Sequence, residues 1–151
     1  MRRRLVVVFI AMTSMIAIAF VVPLGALVRD VARDRAIDDA QRAAASIAPV
    51  IAVTDDPEAL AIAVSRTRAG AEDRLAIHRH DDSSIGAPLE HSEAVVAAFT
   101  QGRASTVSTR TGAEVVVPVI GPGSEIFVVH VVVPDSMLRR GVTSAWLALG
   151  T

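Results

Sequence analysis

The chain contains no cysteine, lysine or tyrosine, and only 3% of its 151 residues are aromatic. Without cysteine, disulfide bridges and thiolate metal sites are excluded. All basic residues are arginines, and apart from Arg2, Arg3 and Arg4 they form no basic patch in a chain of net charge −1. Because a nucleic-acid-binding face normally carries clustered Arg or Lys, the sequence predicts no nucleic-acid partner.

Aliphatic residues are abundant, and the longest uncharged run lies near the N-terminus. Residues 5–28 form a run of 24 without any charge. A helix of that length is about 36 Å long, enough to cross a hydrocarbon core of about 30 Å. The three arginines before the run predict that residues 1–4 are cytoplasmic, residues 5–28 a transmembrane helix in the cell membrane, and residues 29–140 extracytoplasmic. The alternative is a signal peptide cleaved near Ala17 and Ala19, although the run exceeds the usual length of such a segment.

The segment after this run continues the helical pattern. Residues 29–53 lack any turn signal before Pro49, and apolar residues recur at steps of three and four, which predicts one amphipathic helix. The stripe consists of Ile37, Ala40, Ala44, Ile47 and Ile51. Such a stripe packs either against the rest of its own domain or against a second subunit, so a homodimer is one expected partner.

The remaining elements predict an α+β domain. Asp56 and Pro57 are an N-cap and a first helical residue, beginning a helix that runs to about Ala69 and ends at Gly70. Ser92 begins another helix that closes at Gly102. Alternating or continuous apolar residues predict strands at 74–80, 104–110, 113–120 and 125–134, with a loop at 81–88.

Two details of the last strands bear on the architecture. They are apolar on both faces, which predicts a sheet covered on both sides. Pro118 cannot donate to a ladder, so its strand is predicted to be an edge or to contain a bulge there. After the last strand, residues 141–151 are small or apolar and include Trp146, which predicts the start of a second transmembrane helix, truncated where the sequence stops.

Two stretches carry a resemblance to a known family. "EVVVPVIGPGSEIFVVHVVVPDSMLRR" and "RLAIHRHDDSSIGAP" followed by "SEAVVAAFTQG", placed after an N-terminal span, resemble the N-terminal sensor region of bacterial two-component sensor histidine kinases. The resemblance implies a small PAS-like antiparallel sheet, an unknown small-molecule or envelope stimulus and a response regulator reached through a cytoplasmic part. It implies ATP and Mg only for a kinase domain beyond these residues; no cofactor is expected within them.

The expected function is therefore stimulus sensing and transmembrane signalling by a receptor kinase. Two alternatives remain open: a membrane-anchored binding or accessory protein ending near residue 151, and the sensor region of another receptor class such as a cyclase or a chemotaxis transducer. The outer domain cannot separate the receptor classes, because sensor modules occur with varied outputs. No residue combination predicts a catalytic site.

Histidines and nearby carboxylates provide the candidate site residues. His78, His80 and Asp82, with Asp81, Glu90 and His91 close in sequence, have the donor types that suit a divalent metal. The alternative is a solvated end of the strand. His130 alternates with apolar residues and is predicted to point inward, either as a hydrogen-bonded core histidine or as a pH switch. By analogy, a small ligand pocket is expected between the 92–101 helix and the sheet.

Overall fold

The structure, a computed structural model, describes residues 2–138, and side chains from residue 6 onward. The chain is α+β, as the sequence predicts. Its elements are α1 Arg2–Val53, α2 Pro57–Ser65, α3 Arg68–Ala71, β1 Leu75–His78, β2 Ser84–Gly86, α4 Glu93–Gln101, β3 Ser105–Thr109, β4 Gly112–Ile120, β5 Ile126–Pro134 and α5 Asp135–Leu138. The second span predicted at residues 141–151 lies outside the described residues.

Helix α1 is one continuous element of 52 residues. Its N-terminal half is apolar and exposed: Phe9, Met15 and Phe20 each leave more than 70% of their surface uncovered. Within residues 6–138, α1 is the one helix long and apolar enough to cross a membrane, and its most apolar stretch is not covered by the rest of the protein. This long apolar helix is compatible with a membrane location.

Five antiparallel strands form an open sheet in the order β2-β1-β5-β4-β3. Strands β4 and β5 pair along their whole length, from Gly112 opposite Pro134 to Ile120 opposite Ile126. Pro118 lies beyond the end of β3, whose last pair joins Ser105 to Val116. Strand β4 is an inner strand with a continuous register to β5, so neither the predicted edge strand nor the predicted bulge is present. At Pro118, however, β4 has no neighbour on the β3 side, and the missing N–H costs no ladder bond there.

Both faces of the sheet are covered, again as predicted. The C-terminal half of α1 packs Ala40, Ala44, Ile47 and Ile51 into the larger of two apolar clusters, which also contains Phe127 of β5. On the opposite face, α4 contributes Val95 and Ala98 to a small cluster with Val116 and Val128. The apolar stripe of α1 therefore belongs to the core of its own domain, where burial removes it from water.

Three helix boundaries follow the predicted caps. The Asp56 carboxylate accepts a hydrogen bond from the backbone N–H of Ala59 at 3.1 Å and begins α2. Ser92 accepts from the N–H of Val95 at the start of α4. Gly102 ends α4 in the left-handed conformation, at φ 61°. Glycine has no Cβ to strain that conformation, so the predicted stop at this residue is confirmed.

Three expectations about residues 57–88 are wrong. The single helix predicted to reach Ala69 is two helices, because the Thr67 hydroxyl accepts from the N–H of Gly70 at 3.0 Å and caps α3 separately. The strand predicted at 74–80 is only four residues, all buried. It stops at His78 because the chain turns at once to form β2, within the predicted loop, which pairs antiparallel with β1.

Candidate functional site

Two buried histidines lie next to each other on the α4 face of the sheet. His78 is the last residue of β1 and His130 lies in the middle of β5. The register pairs His78 with Val128 and Ala76 with His130, so the two histidines are diagonal neighbours on one face. Their exposed fractions are 0% and 2%. The inward position predicted for His130 is therefore confirmed.

The two rings interact directly. His78 Nε2 lies 3.2 Å from His130 Nδ1, within hydrogen-bonding distance. One of these nitrogens must carry a proton and the other must accept it. The outer nitrogens, His78 Nδ1 and His130 Nε2, have no hydrogen-bond partner within the part of the protein that the structure describes.

Glu114 of β4 decides which nitrogen carries the proton. Its carboxylate lies 3.6 Å from His130 Nε2. A protonated Nε2 on His130 faces this negative group favourably, whereas a lone pair there is repelled. The arrangement therefore favours His78 Nε2–H donating to His130 Nδ1, with His130 Nε2–H directed toward Glu114. This leaves the Nδ1 lone pair of His78 buried and unpaired.

A third histidine closes the outer side of the pair. The exposed His91, which precedes α4, has its ring centroid 4.3 Å from that of His78, with the ring planes inclined at 52°. His91 thus covers the His78 ring and separates it from solvent. Positive charge on His91 opposes positive charge on His78.

Burial sets the charge state of the pair. The pKa of His78 is lowered to about 4, chiefly by burial and further by His91 and His130. Burial also lowers the pKa of His130, although Glu114 opposes that change. A buried imidazolium is costly because the apolar surroundings solvate its charge poorly. At neutral pH both rings are therefore neutral.

The predicted metal candidates occupy different environments. His78 is buried in the pair, whereas His80 is exposed beyond the strand, with its ring centroid 5.7 Å from that of Phe99. Asp82 is exposed in the β1–β2 turn at a positive φ of 62°. Neighbouring Asp81 accepts hydrogen bonds from Ser83, which lower the pKa of its carboxyl group. Within the described residues, no three His, Asp or Glu side chains are placed to hold a metal ion.

Two open grooves border α1. The larger, of about 740 Å³, lies beside α2–α3 and is lined by several arginines, including Arg35, Arg66 and Arg74. The smaller, of about 360 Å³, lies beside β3 and β4. Neither groove lies between α4 and the sheet, where a ligand pocket was expected. There Val95 and Ala98 of α4 pack against Val116 and Val128 of the sheet.

Comparison with protein-family models, with curated proteins and with solved structures finds no match to this chain. The geometry of the chain itself must therefore carry any functional argument.

Proposed function

We propose that the chain is the extracytoplasmic stimulus-sensing and transmembrane signalling region of a two-component sensor histidine kinase, with a PAS-like outer domain. The observation that carries the proposal is the continuity of α1. One unbroken helix begins in an exposed apolar segment of span length and ends in the core, where Ile47 and Ile51 are at most 1% exposed. A stimulus that changes the packing of the sheet therefore acts directly on a membrane helix.

The connection from β5 through α5 toward the second proposed span supports the same proposal. Helix α5, which follows β5 and leads toward residue 141, packs against α1. Its Leu138 belongs to the same apolar cluster as Ile47. The segments leading to both proposed spans thus meet on one face of the sheet, and a relative shift of about 1 to 2 Å between such helices is sufficient in known transitions.

The five-stranded antiparallel sheet with helices on both faces is compatible with a PAS-like domain. ATP, Mg and the response regulator belong to the cytoplasmic part that this proposal requires after the second span. The stimulus acts on residues 29–140, and the proposed signalling unit is a homodimer in the cell membrane, as in receptors that convert a helix shift into an output.

The coding sequence downstream of the Thr151 codon tests the proposed output. We expect an open frame that completes the apolar run and continues into a dimerising phosphoacceptor helix and an ATP-binding domain. If the frame instead continued into a cyclase or chemotaxis module, the sensor role would stand but the proposed kinase output would be contradicted. A stop codon at that place would contradict both receptor readings and favour the accessory protein.

Membrane topology is tested separately by cysteine labelling. The chain has no cysteine, so each single-cysteine variant reports one site. We expect a membrane-impermeant maleimide to label Arg110→Cys, in the exposed β3–β4 turn, on intact cells. The control Arg3→Cys should react only after lysis. The opposite pattern would contradict the proposed orientation, and recovery of a shortened, membrane-free chain would indicate a cleaved signal peptide.

A further inference from the structure

The two faces of the sheet differ greatly in how much apolar surface holds them. The α1 face has a cluster of 16 buried residues, whereas the α4 face has four. Because apolar burial stabilises packing roughly in proportion to area, α4 is the more weakly held cover. The buried histidine pair lies on this weaker face: His78 is opposite Val128, and His130 is opposite Val116.

Few other ionisable groups face the pair. Strands β2 and β3 contain none, β5 contains only His130, and β4 contains only Glu114. The one ionisable residue of α4, Glu93, is exposed at its first turn. Arg79, next to His78 in the chain, lies over the Phe127 ring and beside Glu125, so it belongs with the other face. His91 and Glu114 are thus the charged or chargeable neighbours of the pair, and only Glu114 can offset a positive pair. The exposed His80 does not contact the pair, but its ring lies against Phe99 of α4.

We propose that the His78–His130 pair is a proton-binding site, and that its protonation releases α4 and the preceding His91 segment from the sheet. In the proposed sensor the proton is the stimulus. The signalling role of the site, although not proton binding itself, therefore rests on the proposed function. An added proton binds at the free Nδ1 of His78, or at the nitrogen shared between the rings. In both cases it leaves a buried positive charge, and protonation at Nδ1 adds an N–H without an acceptor. Moving α4 away admits water, which solvates the charge.

The position of His130 connects the site to α1. On the same strand, Val129 and Val131 point to the opposite face and belong to the α1 cluster. Side chains alternate along a strand, so a displacement of β5 at His130 also changes the packing of these valines on α1. The lowered pKa values of His78 and His130 agree with this inference, because they mean that the closed arrangement resists protonation. By linkage, protonation must then favour the open arrangement.

Hydrogen–deuterium exchange of the full chain in lipid nanodiscs, with a chelator present, tests the proposal. We expect the amides of α4 to exchange at least about tenfold faster at about pH 5 than at about pH 7.5, after correction for intrinsic chemistry, while the α1 amides of residues 44–51 keep their protection. The double variant His78→Gln with His130→Gln should abolish the acid response. The variant His80→Gln removes the exposed histidine whose ring contacts Phe99 of α4. It should retain the acid response, and loss of the response in this variant would contradict the proposal.

Equal protection of α4 at both pH values, or an unchanged acid response in the double variant, would overturn the proposal.

A second measurement covers the case in which the double variant does not fold. The chain has only four histidines, so ring-carbon NMR can follow each one. We expect the signals of His78 and His130 to change together with those of α4, and at lower pH than in an unfolded control. If the His78 and His130 signals both titrated near pH 6.5 while the α4 signals stayed unchanged, the proposal would be contradicted. Neither readout depends on topology or kinase output, so failure here is distinct from failure of the proposed function.

Discussion

At the scale of single residues, the buried histidines make the stability of the fold depend on pH. In the unfolded chain His78 binds a proton near its ordinary pKa of about 6.5, whereas in the folded chain its pKa is about 4. Between these values the unfolded state binds more protons, so acid favours unfolding. The free energy of unfolding should be constant above about pH 6.5 and should fall by on the order of 3 kcal/mol toward pH 4.

Chemical denaturation of the detergent-solubilised chain at a series of pH values measures this fall. His78→Gln should have a flatter profile over the same range, because glutamine does not titrate. His80→Gln should follow the wild-type profile, since its exposed side chain lies outside the pair. A wild-type profile that is flat between pH 6.5 and pH 4 would mean that the pair stays solvated.

Gly112 is a second residue with a defined role. It begins β4 at a φ of 153°, and a Cβ added there would lie 1.9 Å from the carbonyl oxygen of Val133 in the paired strand. Gly112→Ala must therefore separate β4 from β5 at that end and should lower the free energy of unfolding by about 3 kcal/mol or more. Gly123→Ala is the matched control: its φ is 67° but no atom lies within 4 Å, so only about 1 kcal/mol is expected. Equal losses in denaturant titrations would contradict the steric explanation.

At the scale of elements, the C-terminal half of α1 has one side buried against the sheet and the opposite side exposed to solvent. Ile47→Asp or Ile51→Asp places a carboxylate in the apolar cluster, where neither residue is more than 1% exposed. We expect either variant to lower the free energy of unfolding by on the order of 4 kcal/mol or more, which is a large share of the stability of a typical domain. Ala45→Asp, on the exposed side of the same helix, should change the stability by about 0.5 kcal/mol or less. Thermal melts followed by circular dichroism distinguish these outcomes.

Some elements could be predicted because their signals are local. The Asp56 and Ser92 caps, Gly102, and the long apolar runs of β4 and β5 each determine structure within a few residues. The break between α2 and α3 was missed because the Thr67 cap lies inside an otherwise helical pattern. Strand β2 was missed because three residues of turn-like composition become a strand only through pairing with β1.

The candidate site could be predicted only in part. The alternation of residues 126–132 placed His130 inward, which depends on local periodicity. Its contact with His78 depends on the register between β1 and β5, which joins residues 52 positions apart and is not encoded in any short pattern. Sequence proximity suggested His80 instead, but the strand ends at His78 and leaves His80 exposed.

At the scale of the whole molecule, the apolar N-terminal segment contributes no packing to the outer domain. No residue between Val6 and Asp39 is buried; Ala36 and Ile37 are the first α1 residues to pack against the core, and the buried residues begin at Ala40. Within the described residues nothing covers this segment, and a bilayer supplies its apolar environment in the proposed function. Folding of the sheet and insertion of the segment are then independent events joined by one helix.

This independence gives the last prediction. Deleting residues 2–28 should yield a water-soluble protein whose sheet and α4 keep their amide protection, because none of the side chains of residues 6–28 is buried. Deleting residues 2–44 is the contrasting variant: it removes the buried Ala40 and Ala44, and it should leave the sheet unprotected. Sedimentation and hydrogen exchange report the two outcomes. If the shorter deletion also lost the protected sheet, the apolar segment would be part of the fold, and α1 could not act as a link between two separately stable parts.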